Sequence, residues 1–285
     1  MVQNKEFYIN KTLNIGGKLL DFKNAKVMGV LNVTPDSFYD GGKFITESSA
    51  LAHVESMIDQ GVDIIDVGGY SSRPQSDHIS FEEEAKRTRQ IILRIAKEFP
   101  ETIISIDTFR SEIAKMAVDC GAKIVNDISG GQLDSKMFEV VANLKVPYIL
   151  MHMRGTPTTM TSLTKYDILI KDITLYFQEK ILSLQNLGVK DIIIDPGLGF
   201  AKTVKQNFEL LRELSYFQIL EKPIMVGLSR KSMIWKTLDS TPDKALNGTS
   251  ALHALALSQG ANILRVHDVK EAKECVKLVE LYLDK

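Results

Sequence analysis

The chain has 285 residues, a formal net charge of −1, 44% hydrophobic and 25% charged residues, the balance of an ordinary soluble globular protein. So even a charge argues against a nucleic-acid or membrane-surface partner, and no apolar run approaches the length of a membrane span. Met1-Val2-Gln3-Asn4-Lys5-Glu6 lacks the apolar core of a signal peptide, and Cys120 and Cys275 have no metal-ligand spacing, so the expectation is a cytoplasmic chain with reduced thiols.

Residues 7–22 alternate weakly around Gly16-Gly17, which predicts a β-hairpin within 1–24, placed to plug the floor of whatever follows. From Ala25 onward a strand-then-helix unit repeats, with strands expected at 26–32, 63–68, 103–107, 123–128, 147–152, 191–195, 223–228 and 262–267. The helices between them show one apolar face, as in Phe81, Ala85, Ile92, Ile95 and Phe99, or Val204, Phe208, Leu211 and Leu214. No linker, low-complexity tract or charge block interrupts the series. Alternation of this kind implies parallel strands with right-handed crossovers, and eight of them predict a (β/α)8 barrel over 25–285, one domain across 1–285. An open doubly wound sheet would need a glycine-rich dinucleotide turn after the first strand, and Gly29-Val30-Leu31-Asn32 is no such turn.

Function in such a barrel belongs at the C-terminal strand tips and the loops that follow. The tips are Asn32, Asp66, Asp107, Asn126, His152, Asp195, Ser229 and His267. Ile192-Ile193-Ile194 reads as a strand buried on both faces, stopped by Pro196-Gly197. Asp195 at its end is either a cap for the following loop or the anchor of a ligand. Three loops, 34–46, 69–80 and 153–164, are long, and two carry dense polar clusters, Pro35-Asp36-Ser37-Phe38 and Ser71-Ser72-Arg73-Pro74, as a lid would.

The residues at these tips resemble those of the dihydropteroate synthases. The likeness runs from about Lys26 to about Glu271 and is carried by Leu31-Asn32-Val33-Thr34-Pro35-Asp36-Ser37-Phe38, Asp66-Val67-Gly68-Gly69, Ser71-Ser72-Arg73-Pro74, Ser105-Ile106-Asp107-Thr108, Val125-Asn126-Asp127-Ile128, Met151-His152-Met153, Asp195-Pro196-Gly197-Leu198-Gly199-Phe200, Gly227-Leu228-Ser229-Arg230-Lys231 and Arg265-Val266-His267-Asp268. Where the family often reads Gly-Gly-Glu-Ser-Thr-Arg-Pro-Gly, this chain has Tyr70, Ser72 and Gln75 in place of Glu, Thr and the last Gly. The resemblance implies a TIM barrel, a homodimer formed through the late helices near Leu278, Leu281 and Leu283, and a sulfonamide target. The implied reaction joins 4-aminobenzoate to 6-hydroxymethyl-7,8-dihydropterin diphosphate and releases diphosphate.

The residues suit that task chemically. A pterin's pyrimidine edge presents an N–H and an NH2 side by side, and the Asp195 carboxylate can accept from both. Asn126 offers a donor and an acceptor to the mixed edge beside it, Asp107 would meet a further ring N–H, and Lys231 the ring carbonyl or a ring nitrogen. Met151 and Phe200 supply flat apolar walls, with Gly227 beside them. The competing reading, that Asp107 and Asp195 are merely salt-bridged, needs cations, and Lys231 and Arg230 cannot easily satisfy both and also face a cleft.

A chain of net charge −1 needs a local cradle for diphosphate, and the resemblance implies Asn32, Ser72, Arg73, Arg265 and His267 for it, with Mg2+ bound through Asn32 as the only protein ligand. It places 4-aminobenzoate against Thr34, Pro35, Phe38, Ser72, Pro74, Ser229 and Lys231, and assigns catalysis to Asp107, Asp195, Lys231, Arg73 and Asp36. His152 reads as a core or rim histidine, and His53, His78 and His253 as helix or surface residues. With no Ser-His-Asp set and no activated cysteine, direct transfer is expected. A folate-dependent methyltransferase shares the barrel and the pterin edge but has no use for Arg73, Arg265 or the lid loops; a non-catalytic pterin-binding paralogue would differ by releasing no diphosphate.

Overall fold

The structure is a computed structural model and describes residues 12–33, 47–70 and 79–284. The chain enters through β1 (Thr12–Ile15) and β2 (Lys18–Asp21), antiparallel and joined at Gly16 (φ 58°) and Gly17 (φ 93°). Both turn residues have positive φ, the two-residue turn that matches strand twist and favours glycine. The expected hairpin is therefore present over 12–21.

Eight parallel strands follow: β3 (Lys26–Asn32), β4 (Ile64–Gly68), β5 (Ile103–Asp107), β6 (Ile124–Asp127), β7 (Tyr148–Met151), β8 (Ile192–Asp195), β9 (Met225–Val226) and β10 (Ile263–Val266). Their order is β8-β7-β6-β5-β4-β3-β10-β9, and a parallel bridge from Ile194 to Ile224 joins the two edges. The sheet thus closes into the expected barrel. The seventh strand is shorter than the 223–228 expected, because Pro223 has no N–H for a ladder and Gly227 adds no side chain to pack; Pro223 still accepts from Ile194 N at 2.9 Å. Helices α1 (Glu47–Asp59), α2 (Phe81–Glu98), α3 (Ser111–Asp119), α4 (Met137–Leu144), α5 (Leu169–Asn186), α6 (Val204–Arg212), α7 (Ser232–Trp235), α8 (Leu246–Ser258) and α9 (Val269–Tyr282) lie between and after the strands. No helix among the described residues is long and apolar enough to cross a membrane.

Period-two alternation sorts each strand into an outer face against the helices and an inner face in the barrel. Met28, Ile64, Ile124, Ile149, Ile193, Met225 and Ile263 form the lowest inner layer, and Leu13, Ile15 and Phe22 of the hairpin region pack beneath it. The hairpin plugs the floor, as its position suggested. One pleat higher, β3 keeps the apolar Val30, while the other strands or the residues just past them bring Asp66, Ser105, Asn126, Met151, Asp195, Gly227 and Arg265. The barrel is therefore oily at its base and polar toward its C-terminal mouth.

Two helix faces differ from the periodicity reading. On α2 the buried stripe is Glu84, Thr88, Ile91, Ile92 and Ile95, while Phe81 is exposed. Glu84 is polar because it meets the residue just past β5, Thr108, which donates to it at 2.7 Å, while the Thr88 hydroxyl bonds back to Glu84 O at 2.8 Å. On α6 Asn207, Leu210 and Leu211 are buried and Val204 is exposed, Asn207 serving as a bracket for the loop before it.

Candidate active site

The loop after β8 fixes the mouth of the barrel. Asp195 is buried, and its Oδ1 accepts the Gly197 N–H at 2.8 Å, while Oδ2 turns toward Gly227, where an added Cβ would stand 4.0 Å from it. The carboxylate thus both caps its own turn and presents its second oxygen to the cavity. Burial raises the Asp195 carboxyl above its ordinary value, against the pull of Lys231 and the Gly197 N–H. Gly197 (φ 71°) cannot be replaced, since a Cβ there would meet His152 O at 2.1 Å.

Lys231 lies across this loop. Its ammonium donates to Leu198 O and sits 4.5 Å from the centroid of the Phe200 ring, a cation–π contact. Burial lowers it to about 8, with Asp195 opposing and Arg265 assisting that shift. Phe200, half exposed, packs with the cluster of Phe109, Ile128, Met151, Met153, Met160 and Ala201, which forms the apolar wall.

The opposite side of the mouth is an ion-pair chain. Arg265 Nε donates to Asp66 Oδ2 at 2.7 Å and Nη2 to Asp107 Oδ2 at 2.6 Å, and Asn126 Nδ2 donates to the same Asp66 oxygen at 2.9 Å. Burial pushes the Asp107 carboxyl up to about 7 against Arg265, with Asp66 and Glu84 adding to the rise. Burial would depress Arg265, but Asp66 and Asp107 outweigh it and hold the guanidinium above its ordinary value. The cation that meets Asp107 is therefore Arg265, neither Lys231 nor Arg230. Arg230 is tied elsewhere, by a two-pronged pair with Asp268 at 2.7 and 2.8 Å.

At the rim, Ser229 Oγ accepts the His267 N–H at 3.2 Å and lies 3.1 Å from its Nδ1. That contact joins a residue expected at 4-aminobenzoate to one expected at diphosphate. Asn32 Oδ1 is 3.4 Å from where a Gly68 Cβ would stand, with Asp107 Cβ 3.6 Å from the same point, so Gly68 leaves the space between them. Asn32, Asp107, Asn126, Met151, Asp195, Phe200, Gly227, Ser229, Lys231, Arg265 and His267 all stand on strand ends or the loops just beyond them. Thr34, Pro35, Asp36, Phe38, Ser72, Arg73 and Pro74, with Gln75, all of the expected loop 34–46 and residues 71–78 of the expected loop 69–80, lie outside the described residues.

Two residues carry weight that sequence reading did not give them. Asp66 was visible only as one strand tip among eight. Lys202 gave no signal, yet its ammonium is buried and donates to Gly197 O at 3.0 Å, Phe200 O at 3.0 Å and His152 Nδ1 at 3.1 Å. Three donors meet three acceptors, so the loop bearing Asp195 and Phe200 is fastened from behind. Burial lowers Lys202 to about 7, with Asp195 opposing. His152 is buried, as the core reading expected, and His253 is a helix residue, as expected, buried in α8. Tyr70, the departure from the family pattern, stacks edge-on against Phe109 at 5.0 Å, with Arg110 5.7 Å from its ring centroid.

The sequence profile described as pterin binding enzyme matches residues 28–267. The chain is 43% identical over 277 residues to a dihydropteroate synthase of Synechocystis sp., covering 96% of each chain. Its fold superposes with a TM-score of 0.92 on the Yersinia pestis dihydropteroate synthase in complex with a sulfonamide drug, at 37% identity over 96% of this chain and 100% of that one. The Xanthomonas albilineans dihydropteroate synthase with 4-aminobenzoic acid matches at a TM-score of 0.89 and 33% identity, over 96% of this chain and 99% of that one.

Proposed function

We propose that this chain, which belongs to the dihydropteroate synthase family of pterin-binding enzymes, joins 6-hydroxymethyl-7,8-dihydropterin diphosphate to 4-aminobenzoate and releases diphosphate. It is a transferase of folate biosynthesis. The observation that carries the site reading is the pairing, in one mouth, of inward carboxylates from β5 and β8 with a donor-only lysine over an aromatic ring. Asp195 accepts the pterin's N–H and NH2, Asn126 and Asp107 meet the neighbouring ring edge, and Lys231 donates to the ring carbonyl or a ring nitrogen. Met151 and Phe200 enclose the ring faces, and Gly227 admits the ring close to the backbone.

The substitution is direct. As diphosphate departs, positive charge spreads over the pterin methylene and ring, and Asp107 and Asp195 stabilise it where it develops. Burial has already made both carboxylates costly to ionise, so a cation arriving beside them is favoured. The amine of 4-aminobenzoate attacks the methylene and its proton leaves through water. Arg265, His267 and Asn32 line the side from which diphosphate leaves, and the family resemblance assigns Ser72 and Arg73 to the same group. Ser229 and Lys231, with Thr34, Pro35, Phe38 and Pro74, take 4-aminobenzoate, and Asp36 contributes from the same segment.

Mg2+ fits this site only as a companion of the diphosphate. The described residues hold no cluster of three or more His, Cys, Asp or Glu side chains able to bind a metal, and Asn32 offers one amide oxygen. A hard cation held mainly by phosphate oxygens and water needs no more. Bound there, Mg2+ would neutralise charge building on the leaving group. The enzyme acts in the cytoplasm as a homodimer, with Leu255 of α8 and Leu278, Leu281 and Tyr282 of α9 exposed for the contact; Leu283 instead packs against the core. Diphosphate release measured with both substrates, and with each alone, tests the assignment: release that does not depend on 4-aminobenzoate would sink it.

A further inference from the structure

Asp66 lies inside the barrel at 0% exposure, one pleat below Gly68. It sits on β4, with Asn126 on β6 two strands to one side and Arg265 on β10 two strands to the other. A single oxygen, Oδ2, accepts from both, from Asn126 Nδ2 at 2.9 Å and from Arg265 Nε at 2.7 Å. Side chains separated by 60 and 199 residues in sequence are thus set by one atom.

The sense of these bonds matters for a ligand. A primary amide has a donor end and an acceptor end of nearly the same shape, so packing alone does not choose between them. An oxygen that already accepts from a guanidinium is an acceptor, and only the N–H end of Asn126 can meet it. The Asn126 Oδ1 is then committed to the other side, as an acceptor for the heterocycle. Arg265 is committed likewise, since Asp66 takes its Nε and Asp107 its Nη2. Its Nη1 is left for the mouth.

We propose that Asp66 is a positioning residue for pterin recognition: it fixes which end of the Asn126 amide faces the ring and clamps Arg265 against Asp107. The proposal rests on the pterin reading of the mouth and assigns Asp66 no contact with substrate. Without its Oδ2, Asn126 can turn its NH2 end to a ring N–H, and a donor then faces a donor. An amide oxygen could stand in for Oδ2, because that one oxygen makes both bonds, and the new NH2 would take the place of Oδ1, which has no hydrogen-bond partner among the described residues.

The test is calorimetric titration of 6-hydroxymethyl-7,8-dihydropterin, without diphosphate, into the full chain and its variants. Asp66→Ala is expected to weaken binding about tenfold, and Asp66→Asn to restore it to within about threefold of wild type. In an Asn126→Ala background the loss from Asp66→Ala should be at least about threefold smaller, because its main partner is already gone. Equal losses in both backgrounds, or an Asn variant as weak as the Ala variant, would overturn the proposal. Should Asp66→Ala show no cooperative melting transition, Asp66→Thr takes its place, being of similar volume with a hydroxyl too short to reach both partners. Failure of wild type itself to bind the dihydropterin would refute the pterin reading instead.

Discussion

Arg265 and Asp107 are joined at 2.6 Å between Nη2 and Oδ2, across 158 residues of sequence, while the same guanidinium holds Asp66 through Nε. From sequence, Arg265 belonged to the leaving group alone, and its loss would have spared the affinity for a pterin lacking diphosphate. The geometry gives a different expectation. Arg265→Ala would strand two inward carboxylates, so it should weaken the bare pterin too, by about 1–3 kcal/mol. Titration of the dihydropterin decides; unchanged affinity would return Arg265 to the leaving group.

Asp195→Asn should weaken pterin capture more than any other single change. The amide puts an N–H against the pterin's own donors, and leaving a buried donor unpaired costs about 1–3 kcal/mol. Equal affinity of wild type and variant for a pterin product analogue would remove Asp195 from the binding edge.

Pterin affinity should fall as pH rises through about 8. Lys231, brought down by burial, is protonated below that value and loses its charge above it, and with the charge goes its stronger hydrogen bond to the ring. An arginine stays protonated throughout the window, so Lys231→Arg should show no alkaline limb. If the limb persists in that variant, the titrating group is elsewhere, with Lys202 at about 7 the first candidate.

Lys202→Met should leave the Phe200 carbonyl without its donor and the Gly197 carbonyl with only the Phe200 N–H at 3.1 Å. The orphaned Phe200 carbonyl costs about 1–3 kcal/mol, offset in part because a buried charge is removed as well. Denaturant unfolding should show lower stability, and the Michaelis constant for the pterin substrate should rise as Phe200 loses its fixed place. A variant with wild-type stability and binding would show that the loop holds itself.

Leu13→Ala tests the floor plug. Leu13 is 1% exposed beneath the lowest barrel layer, and a leucine deletion in such a site costs about 2–5 kcal/mol. Because the hairpin is at the opposite end from the mouth, turnover at low temperature should match wild type. A denaturation midpoint unmoved by the substitution would mean that the hairpin is an ornament on the barrel.

The sequence by itself determined the barrel and the location of its mouth. Both are written locally: β-branched runs such as Ile192-Ile193-Ile194 need a strand buried on two faces, Pro196-Gly197 ends it, and the side chain at its tip, Asp195, can only fall at the carboxyl end. That polar side chains gather at the barrel mouth was legible for the same reason, since it depends on residue type and position along a strand. What only the tertiary structure decided is which tip meets which. Asp66, Asn126, Arg265 and Asp107 come from four strands and become neighbours through ring closure and register, and the outcome is a shared carboxylate oxygen that no spacing in the chain announces. Lys202 is the same case, its partner His152 lying 50 residues earlier. The polar stripe of α2 also waited on the fold, because Glu84 is buried only where Thr108 and Arg110 supply its hydrogen bonds. Hydrophobic periodicity records how much surface a residue must hide, and a buried charge appears in it only as an exception until the partner that makes burial tolerable is in place.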